Sequence, residues 1–164
     1  MRHTSRLILA SAAALLFAPS TVLAGNPHFI KNQTTASLSG SDLVVVFKEA
    51  GLPSGSTETI TVSADFEGTF QCINGGGKNP NDPKKTVIRS QVSESGEFTA
   101  DKNGNVTGSL TLSPPSPAQV GFSCPPGQQA LRTTFSFSDI TIDDEDSGAS
   151  LGLPGTFSGG TPID

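Results

Sequence analysis

The sequence predicts an all-β protein: an antiparallel two-sheet sandwich of immunoglobulin-like architecture with seven to eight strands, a β-barrel being the runner-up. Three observations carry that expectation. Apolar and polar residues alternate over long stretches, a period of two that a helix cannot accommodate. Clusters of Gly, Pro, Asn and Asp recur roughly every ten residues, as in sandwiches of short strands. Beyond residue 24, no stretch of ten residues places apolar side chains at helical spacing. The 164 residues, with 18 Gly, 12 Pro, 10 Phe, 2 Cys and neither Trp nor Tyr, suit one domain. Gly and Pro together fall below the ~25–30% that marks low complexity, and two cysteines are too few for a disulfide-dense scaffold.

Met1 to Ala24 read as a secretory signal peptide, with Arg2 and Arg6 at the start, an apolar stretch from Leu7 to Ala18, and Val22-Leu23-Ala24 as the cleavage site after Pro19. An apolar core of about a dozen residues is short of the ~17–25 that a spanning helix needs. The expected organisation is a signal peptide over 1–24 and one β-sandwich domain over 25–164, secreted to the cell exterior, with the periplasm as the alternative. No Cys follows the cleavage site to take a lipid. Leu153-Pro154-Gly155-Thr156-Phe157 lacks the last Gly of a sortase signal and any apolar tail, so no membrane attachment is expected after cleavage. The chain from residue 25 carries 8 Lys and Arg against 15 Asp and Glu, a formal charge of −7. So acidic a protein repels phosphate backbones and anionic bilayers, which argues against nucleic acid or membrane as partner.

Strands are expected near Ala36, Val45, Val62, Phe70, Val87, Phe98, Leu110 and Phe135, with a last one over Ala149 to Phe157. Leu43 to Lys48 is apolar at nearly every position, the pattern of a strand covered on both faces. From Ile60 to Cys72 every even position is apolar or small and every odd position between them polar. Thirteen straight residues would run about 43 Å, beyond the usual strand, so a bend or bulge is expected at Gly68. Phe98 and Ala100 lead into Asn103-Gly104, and Val106, Gly108, Leu110 and Leu112 alternate after it, which reads as a hairpin. Leu131, Thr133, Phe135 and Phe137 hold one phase and Ile140 and Ile142 the other, so a bulge near Ser138-Asp139 should swap the inward face.

An even cysteine count in an exported chain favours one disulfide, Cys72–Cys124, pinning a sheet edge or one end of the sandwich. Its loop of about fifty residues gives about 4 kcal/mol in the chain-entropy model. An antibody-type pair would have a Trp between its cysteines, so immunoglobulin-like describes architecture alone.

Five segments carry a resemblance: Phe47-Lys48-Glu49-Ala50-Gly51-Leu52, Gln71-Cys72-Ile73-Asn74-Gly75-Gly76, Ser113-Pro114-Pro115, Ser123-Cys124-Pro125-Pro126-Gly127 and Pro154-Gly155-Thr156-Phe157-Ser158. In this order they resemble a group of small bacterial secreted proteins with one cysteine pair, over almost the whole chain beyond the leader. The resemblance implies a leader, paired Cys72 and Cys124 and an extracellular life. It supplies no catalytic residues.

No catalytic residue and no cofactor is expected. His28 is the only histidine beyond the leader, no Gly-x-Ser-x-Gly elbow is present, and a lone His cannot build a zinc site. Asp65 and Glu67 share a strand face at roughly 6.6 Å, compatible with a glycosidase pair, but any acids at i and i+2 have that spacing and a solvated face explains them. The chain also lacks Trp and Tyr platforms for sugar rings. Within Asp139 to Asp146, the residues Asp139, Asp143, Asp144 and Asp146 are the calcium candidates. Their spacing fails the EF-hand pattern, and an acidic hairpin protecting an edge strand explains them better. Asn74-Gly75-Gly76-Gly77-Lys78 lacks the ending of a phosphate-binding loop. Asn32-Gln33-Thr34 and Asn105-Val106-Thr107 match the glycosylation sequon.

The function expected from sequence is therefore a secreted, non-enzymatic domain that binds an extracellular ligand or protein, or plays a structural part, through the loops Asn74–Lys85 and Ser113–Gly127. The alternatives are a calcium-dependent adhesion or matrix module using Asp139 to Asp146, and a carboxylate-based hydrolase using Asp65 and Glu67.

Overall fold

A computed structural model describes residues 25–76 and 84–160. The expected signal peptide over 1–24, and Gly77 and Lys78 of the glycine loop, lie outside the described residues. Among the described residues nine strands are present: β1 (His28–Phe29), β2 (Thr35–Ser39), β3 (Asp42–Ala50), β4 (Thr57–Asn74), β5 (Lys85–Thr99), β6 (Asn105–Leu112), β7 (Gln128–Asp144), β8 (Ser150–Leu153) and β9 (Phe157–Gly160). The described residues contain no α-helix, only a 3₁₀ turn over Lys31–Gln33. The segments around Val62 and Phe70 form one strand, as do those around Val87 and Phe98, while the last stretch divides into two.

All pairings are antiparallel. In the first sheet β3 is central, with β6 along one edge from Leu43↔Leu112 to Ala50↔Asn105 and β2 and then β1 along the other. In the second sheet β4 lies between β5 and β7, and the far edge of β7 is shared by β8, opposite Ile140 to Asp143, and β9, opposite Thr134 to Phe137. Neither sheet closes, so the molecule is a two-sheet sandwich and not a barrel.

Alternation explains the core. Leu43, Val45 and Phe47 of β3 and Val106, Leu110 and Leu112 of β6 face Ile60, Val62, Ala64 and Phe66 of β4 and Phe135, Phe137, Ile140 and Ile142 of β7, all buried. The Phe47 ring meets Phe98 edge-to-face at 5.0 Å, the geometry aromatic quadrupoles favour. Gly108 lies beneath both rings, where a Cβ would reach into Phe98 and come within 2.8 Å of Phe47. Gly108→Ala is expected to lower the unfolding free energy by about 1–3 kcal/mol, the usual range for overpacking, as measured by denaturant titration.

Four expectations are corrected. β3 is not covered on both faces: Val46 is 44% exposed and Val44 half-buried. Branched side chains suit a pleated surface whichever way they point, so a valine run marks a strand and not two-sided burial. Gly68 makes no bulge and does not divide the strand: β4 runs for 18 residues and keeps continuous register with β5 through it. Its missing side chain leaves a slot between two rings, a Cβ there falling 2.6 Å from Phe66 and 3.0 Å from Phe70. Asn103-Gly104 does reverse the chain, with Gly104 at φ 72° and the Asp101 carboxylate accepting from the backbone N–H of Asn103 and Asn105. The two strands it joins ladder in different sheets, so it is a corner between layers and not a hairpin.

The irregularities fall on β7. Ser63 and Asp65 of β4 oppose Thr141 and Ser138, and Asp139 adopts φ 48°; the expected phase swap is there. A second extra residue, Thr133, is buried, and its hydroxyl donates to the Thr69 carbonyl at 3.3 Å. It reverses the phase again, which is the fourth correction: Leu131 is 39% exposed and Ala130 packs against the core instead.

Candidate functional site

At one pole of the sandwich the inward positions are acids. Glu49 follows Phe47 in the buried phase of β3, Glu58 precedes Ile60 in that of β4, and Asp144 follows Ile142 in that of β7. Their exposures are 0%, 4% and 2%. Glu49 comes from the first sheet and the other two from the second, so the carboxyl groups meet between the layers. The turn after β7 brings in Asp146, and one carboxylate oxygen each of Glu58, Asp144 and Asp146 lie within 4.8 Å of one another. The Glu49 carboxyl contacts that of Asp144 directly.

Hydrogen bonds fix the outer oxygens. Asp144 Oδ1 accepts from the backbone N–H of Asp146 at 2.9 Å and of Ser147 at 3.3 Å. Asp146 Oδ2 accepts from the Thr59 N–H at 2.7 Å. The Ser147 hydroxyl donates to Glu49 Oε1 at 3.1 Å, and that of Ser56 donates to Glu58. Glu49 Oε2 and Asp144 Oδ2 are buried and meet no N–H or hydroxyl donor; only a proton held between the two carboxyls would join them. Among the described residues the one ion pair is Arg89–Glu67, on the outer face of the second sheet, so no Lys or Arg of that set neutralises the cluster. Burial, and then the charge of Asp144, push the Glu49 carboxyl up to about 7.

Of the four calcium candidates, Asp144 and Asp146 belong to this cluster and the other two do not. Asp143 points to the opposite face of β7, between Thr61 and Ser150, because neighbouring residues of a strand face opposite ways. Asp139 is exposed at the bulge. Glu49 and Glu58 were missed as site residues. The signal lay in their phase: each is two residues from a core aromatic or aliphatic, in register with it, where an outward-facing acid would not fall.

The opposite pole is built around the disulfide. Cys72 and Cys124, 52 residues apart in sequence, have Cα atoms 5.6 Å apart, so the bond pins an end of the sandwich. It holds the segment 113–127 over the end of β4, with Phe122 buried 5.7 Å from the Phe70 ring. The Lys84 ammonium lies 5.0 Å over Phe122 and donates to the Ser123 carbonyl at 3.0 Å. Arg132 donates to the carbonyls of Pro114 and Pro115, both at 3.4 Å. The two loops singled out from sequence thus converge, residues 77–83 of the first lying outside the described set.

Asp65 is exposed, and Glu67 is paired with Arg89 at 2.5 Å in an open groove of about 350 Å³. His28 is exposed and donates from Nδ1 to the Asn26 carbonyl at 2.7 Å. A cleft of about 530 Å³ separates β2 from β8, lined by Thr35, Ala36, Leu151, Leu153 and Phe157 among others. No described helix is long and apolar enough to cross a membrane. Comparison of the chain with protein-family models, curated proteins and solved structures finds no match.

Proposed function

We propose that the chain is an exported, non-enzymatic β-sandwich module that binds an extracellular ligand or protein through the pole carrying the disulfide. The observation that carries this reading is the convergence of 74–76, Lys84 and 113–127 at that pole, held by the bond, the Lys84–Phe122 contact and Arg132. Ordering free chain costs roughly 1–2 kcal/mol per residue, so a segment already fixed binds with less loss of freedom. Five prolines in 113–127 stiffen it further. Its exposed residues include Ala118, Gln119, Gly121, Ser123, Pro125 and Pro126, a surface available to a partner. The leader pattern over 1–24 and the disulfide, a bond of oxidising compartments, support export.

Co-sedimentation of the purified protein with the envelope fraction of its producing cell tests the reading. The protein is expected to be retained, and Gln119→Arg with Ser123→Arg to reduce retention about tenfold, since buried charge opposes docking. Ser95→Arg on the second sheet's outer face should have no effect. Retention equal in both variants, or none by the parent protein, would contradict the proposal. Hydrolysis of envelope polysaccharide that disappears in Glu67→Gln would favour the carboxylate hydrolase in its place.

A further inference from the structure

We propose that Glu49, Glu58, Asp144 and Asp146 form a divalent-cation site of calcium type that ties the two sheets together at the pole remote from the disulfide. The site does not depend on the binding surface proposed above. Three observations lead to it.

The first is geometric. Oxygens bound to one calcium ion at about 2.4 Å are at most about 4.8 Å apart, and those of Glu58, Asp144 and Asp146 satisfy that limit. Glu49 comes from the facing sheet and lies against Asp144, one member of that group.

The second is the pair of unpartnered oxygens. Glu49 Oε2 and Asp144 Oδ2 belong to side chains 0% and 2% exposed and meet no donor when both carboxyls are ionised, since a hydrogen bond between Glu49 and Asp144 needs a proton on one of them. A buried polar atom left in this way is costly, and a buried carboxylate without counter-charge more so. Four carboxyl groups share this pole with no Lys or Arg within 4 Å among the described residues. A divalent cation would satisfy the free oxygens and offset much of the cluster's negative charge in one step.

The third is the division of labour among the donors. The oxygens already engaged are held by Ser147, Ser56 and the N–H groups of Thr59, Asp146 and Ser147. Such outer contacts orient the carboxylates of a metal site and leave their remaining oxygens for the ion. The donors are all hard oxygens, which excludes the thiolate and imidazole chemistry of zinc and copper. Calcium, with 6–8 ligands and tolerant geometry, suits a crowded set of acids better than magnesium, which keeps most of its water.

The test is calorimetric titration of calcium chloride into the purified protein after EDTA treatment, with thermal melts beside it. One site is expected, with a dissociation constant of about 10⁻⁴ M, the range of extracellular modules, and a melting temperature about 10 °C higher at 10 mM calcium. Glu58→Gln and Asp146→Asn should each weaken binding at least tenfold. Asp146 is exposed, so its variant keeps the test valid should the buried one fail to fold. Glu145→Gln, whose carboxylate accepts from Thr61 on the outer face, should bind as the parent does. No heat and no melting shift at 10 mM calcium would overturn the proposal, as would equal affinity in Asp146→Asn. Envelope retention is read in EDTA, so that its loss and loss of calcium binding are separate results.

Discussion

Joint replacement of Cys72 and Cys124 by alanine is expected to lower the unfolding free energy by about 4 kcal/mol, the entropy of closing a loop of this length in the unfolded chain. The bond spans 52 residues and encloses the last residues of β4, all of β5 and β6 and the segment leading to Cys124. For a domain whose margin is typically ~5–15 kcal/mol, such a loss moves the denaturation midpoint far down. Native-state packing adds to the effect. Without the bond, Phe122 is kept on Phe70 only by its own burial, by Lys84 and by the Arg132 contacts nearby. The measurement is a guanidinium titration of the parent and double variant, with limited proteolysis alongside. Cleavage in the variant should concentrate in 113–127. A loss below about 1 kcal/mol would mean that the non-covalent contacts hold the segment unaided.

In the presence of a chelator, stability is expected to fall as the pH rises from about 4.5 to about 7. Glu49 has an ordinary value of 4.5 and is pushed up to about 7 in the fold, by burial first and by Asp144 second. Between those values the native state binds the proton and the unfolded chain has released it, so the slope of unfolding free energy against pH is negative. The integrated loss is at most about 3 kcal/mol, at 1.36 kcal/mol per pH unit. Acting on Glu49 are Asp144 and Ser147 from β7 and its turn and Glu58 from β4; all the charged members are acids, so none reverses the sign. Chemical denaturation at intervals between pH 4.5 and 7.5 checks it. Glu49→Gln should flatten the profile over this range; an equally steep fall in that variant would assign the effect to other groups.

Alternation made much of this architecture legible. Ile60 to Cys72 announced a strand because no other structure sorts side chains with a period of two, and the slip between Phe137 and Ile140 located a bulge that β7 indeed contains. Turn chemistry was readable only locally. Asn103-Gly104 specifies a reversal, but whether the strands on either side ladder together depends on contacts with β3 and β4, which are distant in sequence. The acidic pole lay beyond a residue-by-residue reading for the same reason. Glu49, Glu58 and Asp144 are separated by long stretches of chain and look alone like solvated acids. Only the pairing of Ile60 with Asp144, and the facing of β3 onto that pair, brings them together. Asp139 and Asp143 drew attention through proximity in sequence, which in a strand is no guide to proximity in space.

The outer edge of β5 has a bearing on crowding. Among the described residues its fifteen residues pair with β4 on one side alone, which leaves a row of amide and carbonyl groups that a second copy could zip onto. Lys85, Arg89, Glu94 and Glu97 are spread along it. In a parallel, in-register stack each would lie against its own like charge, the arrangement that opposes fibril growth. The same ribbon that lengthens the sandwich thus carries its own deterrent to stacking at high concentration.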